Sequence, residues 1–147
     1  MERNEVAVVA GRSFMLTDGL GDIEPGTRHG LFEGDTRFLS CLRFTLNGVR
    51  PAELGGGPST MGRARFYATN PDIPGVPAGS VLIERERVLD VHLTERIALT
   101  NYGEHAARLR LRIELAADFA DVLELRSLPP TKLGPTDIAP PPRWHRA

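Results

Sequence analysis

Residues 30–48 read GLFEGDTRFLSCLRFTLNG, and this stretch decides the fold. Apolar side chains recur along residues 37–46 in the alternation of a β-strand. They are Phe38, Leu42, Phe44 and Leu46. Asn47-Gly48 is a strong signal for a tight hairpin turn, because both residues adopt positive φ at low cost. The stretch therefore predicts a strand, a turn, and a partner strand over residues 49–54.

Further strands are predicted on either side of this hairpin. Residues 6–10 form a short apolar run, and residues 63–69 place Ala64, Phe66 and Ala68 on one side. Residues 80–90 and 91–101 predict a strand pair or one long bent strand. Residues 108–115 alternate most clearly, which predicts one face on the core and one in water. The residues of the predicted core face are Leu109, Leu111, Ile113 and Leu115. Residues 118–126 are predicted to form one more strand.

The connections are rich in glycine and proline. Residues 18–30 predict an irregular loop, residues 54–59 a flexible connection, and residues 70–79, with three prolines, a surface loop. The spacing of Gly19 and Gly21 is that of a phosphate-binding loop, but Glu24 stands where the third glycine is required. A nucleotide site is therefore not expected.

Short strands between turn signals, without a capped helix, predict an all-β protein built as an antiparallel β-sandwich. From residue 128 the composition changes, because six of the twelve prolines lie in the last twenty residues. We therefore divide the chain into a β-sandwich domain, residues 1–127, and a Pro-rich extended or disordered C-terminal tail, residues 128–147.

Composition narrows the classes of function. The 147 residues include 18 basic and 19 acidic side chains, for a net charge of −1, so no electrostatic attraction to nucleic acid or to an anionic membrane is expected. No run approaches the ~20 apolar residues of a membrane-spanning helix. Cys41 is the single cysteine, which excludes an internal disulfide and fits a cytoplasmic location. It is expected to be a small buried apolar residue.

Three segments resemble the N-terminal, non-catalytic β-domain of bacterial and archaeal glycogen debranching enzymes (amylo-α-1,6-glucosidase-like proteins). They are residues 30–48, residues 95–103, ERIALTNYG, and residues 117–126, ADFADVLELR. The family usually has FEVRG where this chain has LELRS. The resemblance implies a supersandwich-like β-domain whose partner is a catalytic (α/α) barrel domain, in cis or in trans. In those enzymes the catalytic carboxylates belong to the barrel, so no hydrolase activity is expected of this chain.

We therefore expect a structural or interdomain role in α-glucan metabolism. The candidate structural or docking residues are Asp35, Thr36, Arg37, Glu95, Arg96, Asp118, Asp121, Glu124 and Arg126. Glu95 interrupts an apolar face and requires a partner cation or an opening to solvent. The acidic residues at 118–124 are expected to pair with arginines such as Arg37 or Arg126.

Two other functions compete with this one. A stand-alone α-glucan-binding module would need solvent-facing aromatic rings, for which the candidates are Phe32, Phe66, Tyr67 and Tyr102. A small hydrolase would use Asp118 and Asp121 as its two carboxylates. No catalytic residue and no cofactor are predicted. No metal site is predicted either, because none of the four histidines has a ligand spacing with another His, Cys or carboxylate.

A domain without its barrel is expected to expose an apolar patch and to self-associate. The predicted patch consists of Phe32, Leu123 and Leu125.

Overall fold

The computed structural model describes residues 4–127, and within them it contains ten β-strands and one short helix. The elements are β1 Val6–Ala10, β2 Ser13–Thr17, β3 Gly30–Glu33, β4 Thr36–Leu39, β5 Cys41–Leu46, β6 Ala52–Thr60, β7 Arg63–Thr69, β8 Val81–Leu89, β9 Leu93–Asn101, β10 Leu111–Ala116 and α1 Val122–Ser127. The predicted tail, residues 128–147, and the side chain of Arg126 lie outside the described part.

The strands form three antiparallel sheets arranged as a sandwich. One sheet has the order β1-β2-β3-β4, a second pairs β10 with β5, and the third has the order β6-β7-β8-β9. Buried residues of β1, β2 and β5 pack against buried residues of β7 and β8, so the first two sheets form one layer and the third sheet forms the other. The predicted all-β antiparallel sandwich is confirmed.

The core lies between the two layers and has two parts. Near β1 and β2 the buried residues are Val6, Val8, Met15, Ile23, Leu42, Ala64, Phe66 and Leu89. Near the connection between β7 and β8 they are Leu20, Phe44, Leu46, Ala68, Ile73, Val76, Val81 and Ile83. The second group shows that the proline-rich residues 70–79, predicted as a surface loop, also bury two apolar side chains. Cys41 is buried, as predicted.

The turn after β5 is confirmed, but its predicted partner strand is wrong. Asn47 and Gly48 have φ angles of 49° and 77°, and Leu46 and Val49 exchange two backbone hydrogen bonds of 2.9 and 2.8 Å. The ladder stops there, and β5 pairs with β10 instead. Pro51 has no N–H to donate, so the chain leaves this layer and enters β6.

Residues 54–59, predicted as a flexible connection, belong to β6 and pair with β7. Glycine allows this pairing, because a Cβ on Gly56 would lie 2.4 Å from the carbonyl oxygen of Arg65. Gly56 therefore marks a close approach of two strands, and the run of glycines is not a break in the sheet.

The prediction that residues 108–115 turn one face to the core is confirmed for Leu109, which packs partly buried against the second core group, but it is wrong for the other three residues of that face. Leu111, Ile113 and Leu115 are 46%, 50% and 45% exposed. They lie opposite Leu46, Phe44 and Leu42 of β5, which are buried. Leu111, Ile113 and Leu115 thus lie on the core side of the sheet but are only half covered.

Residues 118–126 form a loop and α1 rather than the predicted strand. The three-residue spacing of Asp118, Asp121 and Glu124 is compatible with a helix as well as with a strand. Asp121 accepts a hydrogen bond from the N–H of Leu123 at 2.7 Å and thereby caps the helix.

No helix among the described residues has the length and apolar character to cross a membrane.

Candidate functional site

Two arginines lie on the core face of β8. The buried positions of this strand are Val81, Ile83, Arg85, Arg87 and Leu89, which follow the period of two. Arg85 is 3% exposed and Arg87 is 0% exposed. A guanidinium stays protonated in proteins, so both positive charges require compensation inside the fold.

Glu95 of β9 supplies most of this compensation. It accepts a hydrogen bond from Nε of Arg85 at 2.5 Å and another from Nη2 of Arg87 at 2.8 Å. The two guanidinium groups also lie over aromatic rings, Arg85 over Phe44 at 5.4 Å and Arg87 over Phe66 at 5.0 Å. Glu95 therefore has the partner cations that its position on an apolar face required.

The loop before β3 completes the cluster. Asp22 accepts a hydrogen bond from Nη1 of Arg85 at 2.6 Å, and the carbonyls of Leu20 and Gly21 accept from Arg85 and Arg87 at 2.7 Å each. The carboxylate of Asp18 shapes the loop by accepting from the N–H groups of Leu20 and Asp22 at 3.0 and 2.9 Å. The glycine-rich loop thus holds buried arginines, and we define Asp22, Arg85, Arg87 and Glu95 as the core ion cluster.

In the core ion cluster the pKa values of the two acids are shifted in opposite directions. Burial raises the pKa of Asp22, and Arg85 only partly offsets this effect. Burial would also raise the pKa of Glu95, but the two arginines outweigh it and lower that pKa. Both acids are largely buried and are paired with the arginines, so the cluster joins the loop before β3 to β8 and β9.

A second buried ion pair joins β4 to the segment before α1. Arg37 is 2% exposed, and its Nε donates to both carboxylate oxygens of Asp118 at 3.1 Å. Its Nη1 donates to the carbonyls of Thr27 and His29 at 2.9 and 3.1 Å. The guanidinium therefore binds two other segments of the chain, the loop before β3 and the segment before α1.

Backbone contacts extend this junction. The N–H of Arg37 donates to the carbonyl of Ala120 at 2.9 Å, and the N–H of Val122 donates to the carbonyl of Asp35 at 2.7 Å. Thr36 and Asp121 form an isolated antiparallel bridge. Five of the sequence-predicted residues, Asp35, Thr36, Arg37, Asp118 and Asp121, thus come together. Glu124 lies on α1, with its side chain exposed.

The junction presents an unusual aromatic residue to solvent. Phe119 has a φ of 54° and is 65% exposed. Its ring makes an edge-to-face contact with Phe38, with centroids 5.7 Å apart, and Phe38 is itself 40% exposed. A positive φ is a true outlier for a bulky residue and destabilises by about 1–3 kcal/mol. We call Phe38 and Phe119 the aromatic pair.

The outer face of the second layer carries a cleft of about 200 Å³. Its lining combines one tyrosine ring with charged groups from β7, β8 and β9. The residues are Arg65, Phe66, Tyr67, Glu84, Arg85, Glu86, Arg96 and Ala98. Tyr67 and Arg96, both singled out in the sequence, therefore share this cleft, whereas Tyr102 does not line it.

The structure corrects the assignment of two aromatic candidates. Phe32 is 3% exposed and stacks on Phe14 with centroids 4.5 Å apart, and Phe66 is 1% exposed beneath Arg87. Their rings are not available to a dissolved sugar. Phe32 also fails as a member of the predicted apolar patch, whereas Leu123 is 67% exposed. Leu125 is only half-buried.

Sequence reasoning missed Arg85, Arg87, Asp22 and the aromatic pair. A signal for the arginines existed, because VLIERERVL places them in the apolar phase of β8, as Glu95 is in β9. No such signal marks the positive φ of Phe119. Within residues 4–127, no group of three His, Cys, Asp or Glu side chains could hold a metal ion.

A comparison with protein-family models matches residues 8–139 to the N-terminal domain of some glycogen debranching enzymes. The chain belongs to this family. The match includes the whole Arg37–Asp118 junction, the core ion cluster and the outer cleft of this debranching-enzyme domain. No curated protein sequence matches the chain.

The first prediction concerns the core ion cluster. Glu95→Gln leaves two buried arginines without their shared anion and is expected to lower the free energy of unfolding by about 3–5 kcal/mol at neutral pH. Ionised Glu95 has a lowered pKa, so its stabilisation is present at neutral pH and is lost as the pH falls through that pKa. Urea unfolding at several pH values should show the difference from wild type narrowing in acid.

Glu86→Gln is the matched control on the outer face. Glu86 lies 3.6 and 3.9 Å from two exposed arginines, Arg65 and Arg63, so its loss should change stability by less than about 1 kcal/mol. Equal effects of the two substitutions would show that Glu95 does not compensate the buried charges.

The second prediction concerns the Arg37–Asp118 pair. The side chains of both residues are 3% exposed, so Asp118→Asn leaves a buried guanidinium without its counter-charge. We expect a loss of about 3–5 kcal/mol in thermal or urea unfolding. Asp121→Asn keeps the side-chain oxygen that caps α1 and should cost less than about 1 kcal/mol. An Asp118→Asn protein as stable as wild type would contradict this account of the junction.

Proposed function

We propose that this chain is a non-catalytic accessory domain of a glycogen-debranching-type protein and that it docks onto a catalytic (α/α) barrel domain, in cis or in trans. Its contribution to α-glucan metabolism is then structural or interdomain. The family match to an N-terminal domain of debranching enzymes supports the assignment. The observation that carries the docking role is the strained, exposed ring of Phe119.

Strain of this kind persists only where the surrounding structure enforces it. Asp118 is fixed by Arg37, and the backbone of Ala120 is fixed by the N–H of Arg37, so the residues on both sides of Phe119 are anchored. The anchors hold a large apolar ring mostly in solvent, where its contact with Phe38 is the aromatic contact it makes among the described residues. An aromatic ring held rigidly at a surface is typical of a binding hot spot.

The location of the aromatic pair also favours docking of a following domain. Phe119 is three residues before α1, at the C-terminal side of the described residues. Family members carry this domain at the N-terminus, so the remainder of such a protein follows it in sequence. The short distance in sequence between Phe119 and the end of the described residues therefore favours the aromatic pair as a contact for a barrel that follows in sequence.

The state of the carboxylates supports a non-catalytic role. Hydrolysis of a glycosidic bond uses two carboxyl groups that reach the substrate. The side chain of Asp118 is buried against Arg37, and Asp121 caps α1, so the pair that a small hydrolase would need is engaged in structure.

The third prediction tests docking. Phe119→Gly removes the ring and allows a positive φ without strain, so the free energy of unfolding should stay within about 1 kcal/mol of wild type. Affinity for a separately purified barrel domain of a family member should fall about tenfold or more in calorimetry. Tyr102→Ala, which removes a 71% exposed ring in the turn after β9, is the control and should bind normally.

Two results would contradict the proposal. One is a barrel that binds Phe119→Gly and wild type equally or binds neither. The other is release of glucose from a branched α-glucan by the purified chain, if Asp121→Asn eliminates that release.

The cleft beside Tyr67 supports a second function, binding of α-glucan. One aromatic face beside planar cationic and anionic groups, here Tyr67 with Arg65, Arg96 and Glu84, suits the apolar face and the hydroxyl groups of a sugar. The two functions are compatible, because the aromatic pair does not line the cleft.

The fourth prediction tests this site with maltoheptaose. Titration followed by NMR is expected to give a dissociation constant of about 1 mM, with shifts confined to the cleft. Tyr67→Ala should weaken binding about tenfold, because an aromatic contact contributes roughly 0.5–1.5 kcal/mol beyond its buried area. Tyr102→Ala should leave it unchanged. No saturable shift with wild type, or equal losses with both variants, would exclude glucan binding at this cleft.

A further inference from the structure

We propose that β10 is an association surface for a second copy of this chain. The two β10 strands pair antiparallel about a two-fold axis at Ile113 and join the two-stranded sheets of both copies into one four-stranded sheet. This interaction is separate from docking at the aromatic pair. Three features of β10 support it: its backbone, its charges and its apolar side chains.

The backbone of β10 has an open edge within the described residues. The carbonyl of Arg110 accepts a hydrogen bond from the N–H of Asn47, in the turn after β5, at 2.9 Å. The carbonyl of Ala116 accepts one from the N–H of Ser40, just before β5, also at 2.9 Å. Because hydrogen-bonding direction alternates along a strand, residues 111, 113 and 115 point their N–H and C=O groups away from β5. No other strand among residues 4–127 pairs with them.

These outward groups fit a second β10. If Ile113 lies opposite the partner's Ile113, then Leu111 lies opposite the partner's Leu115, and Leu115 opposite the partner's Leu111. In this register, each pair of opposed residues exchanges two backbone hydrogen bonds. Each copy contributes three N–H donors, so the pairing forms six bonds between the copies.

The charges on the other face are complementary in the same register. Arg112 lies opposite the partner's Glu114, and Glu114 opposite the partner's Arg112. A parallel pairing in register would instead oppose like charges. In one copy the two side chains form a pair at 2.8 Å while 70% and 39% exposed. Such an exposed pair contributes little to stability, so both side chains are available to the partner.

The apolar face gains cover from the same pairing. Leu111, Ile113 and Leu115 are each about half exposed. Pairing with the partner's strand sets the same three side chains beside them. Edge strands are commonly protected from pairing by proline, by bulges or by inward charges. Residues 111–116, LRIELA, carry no proline, and their charges lie on the outer face.

Charge reversal tests both the surface and its register. By sedimentation velocity over a concentration series, the full chain is expected to dimerise reversibly. Arg112→Glu and Glu114→Arg each turn two attractive pairs into repulsive ones and should each weaken the dimer about tenfold or more. An equimolar mixture of the two variants, and the double variant, should recover wild-type affinity, because opposite charges face each other again.

Arg110→Glu is the matched control. Arg110 lies opposite the partner's Ala116 in this register, so the same change in net charge should leave the dimer unaffected. Glu114 also lies opposite Arg43 of β5, and circular dichroism of every variant will show that β10 stays folded. If Glu114→Arg fails to fold, Ile113→Pro replaces it: its missing N–H points away from β5, so the domain should fold but remain monomeric.

The proposal is overturned if the wild-type chain is monomeric at all concentrations up to about 1 mM. It is also overturned if the dimer is insensitive to both single reversals, or if the mixture fails to recover affinity. Those results would assign the association to another face, or β10 to a different partner such as the barrel domain.

Discussion

Glu95 between Arg85 and Arg87 is the interaction on which the rest of the structure depends. It joins β8 to β9, and through the arginines it fixes the loop that carries Leu20 and Asp22 against the second layer. Buried ion pairs are a weak source of net stability, but loss of one partner is strongly unfavourable. The arrangement therefore favours one packing of the loop against β8, because any packing that separates them leaves a buried charge without a partner.

The Arg37–Asp118 pair applies the same principle at the opposite margin, with a different result. It brings the segment after β10 back onto β4 and holds Phe119 at a positive φ, with its ring in solvent. A domain selected only for its own stability would place a glycine or asparagine there. The stability of the junction thus supports a surface feature that a partner can use. A buried ion pair that holds an exposed aromatic ring in place is what we expect of the proposed accessory domain.

The open edge of β10 adds a second surface of a different kind. The aromatic pair presents a compact apolar contact, whereas β10 presents backbone groups and a self-complementary order of side chains. The aromatic pair suits a partner of different structure, whereas β10 suits a second copy of this chain. On these two proposals, the aromatic pair and β10 are separate contact surfaces of the same sandwich.

Local patterns predicted the all-β class and the turn at Asn47-Gly48, because periodicity and turn chemistry are local. They left residues 80–101 as a strand pair or one long bent strand, and Glu95 with either a partner cation or an opening to solvent. The pairing of β8 with β9 and the contacts of Glu95 with Arg85 and Arg87 come from the tertiary structure. Only the tertiary structure decided that β5 pairs with β10, that the glycines of β6 lie in a sheet, that Phe32 and Phe66 are buried, and that Leu111, Ile113 and Leu115 are half exposed. An alternating pattern states that a strand has an apolar face. Whether that face is covered depends on how far the opposite layer extends, and no local pattern contains that distance.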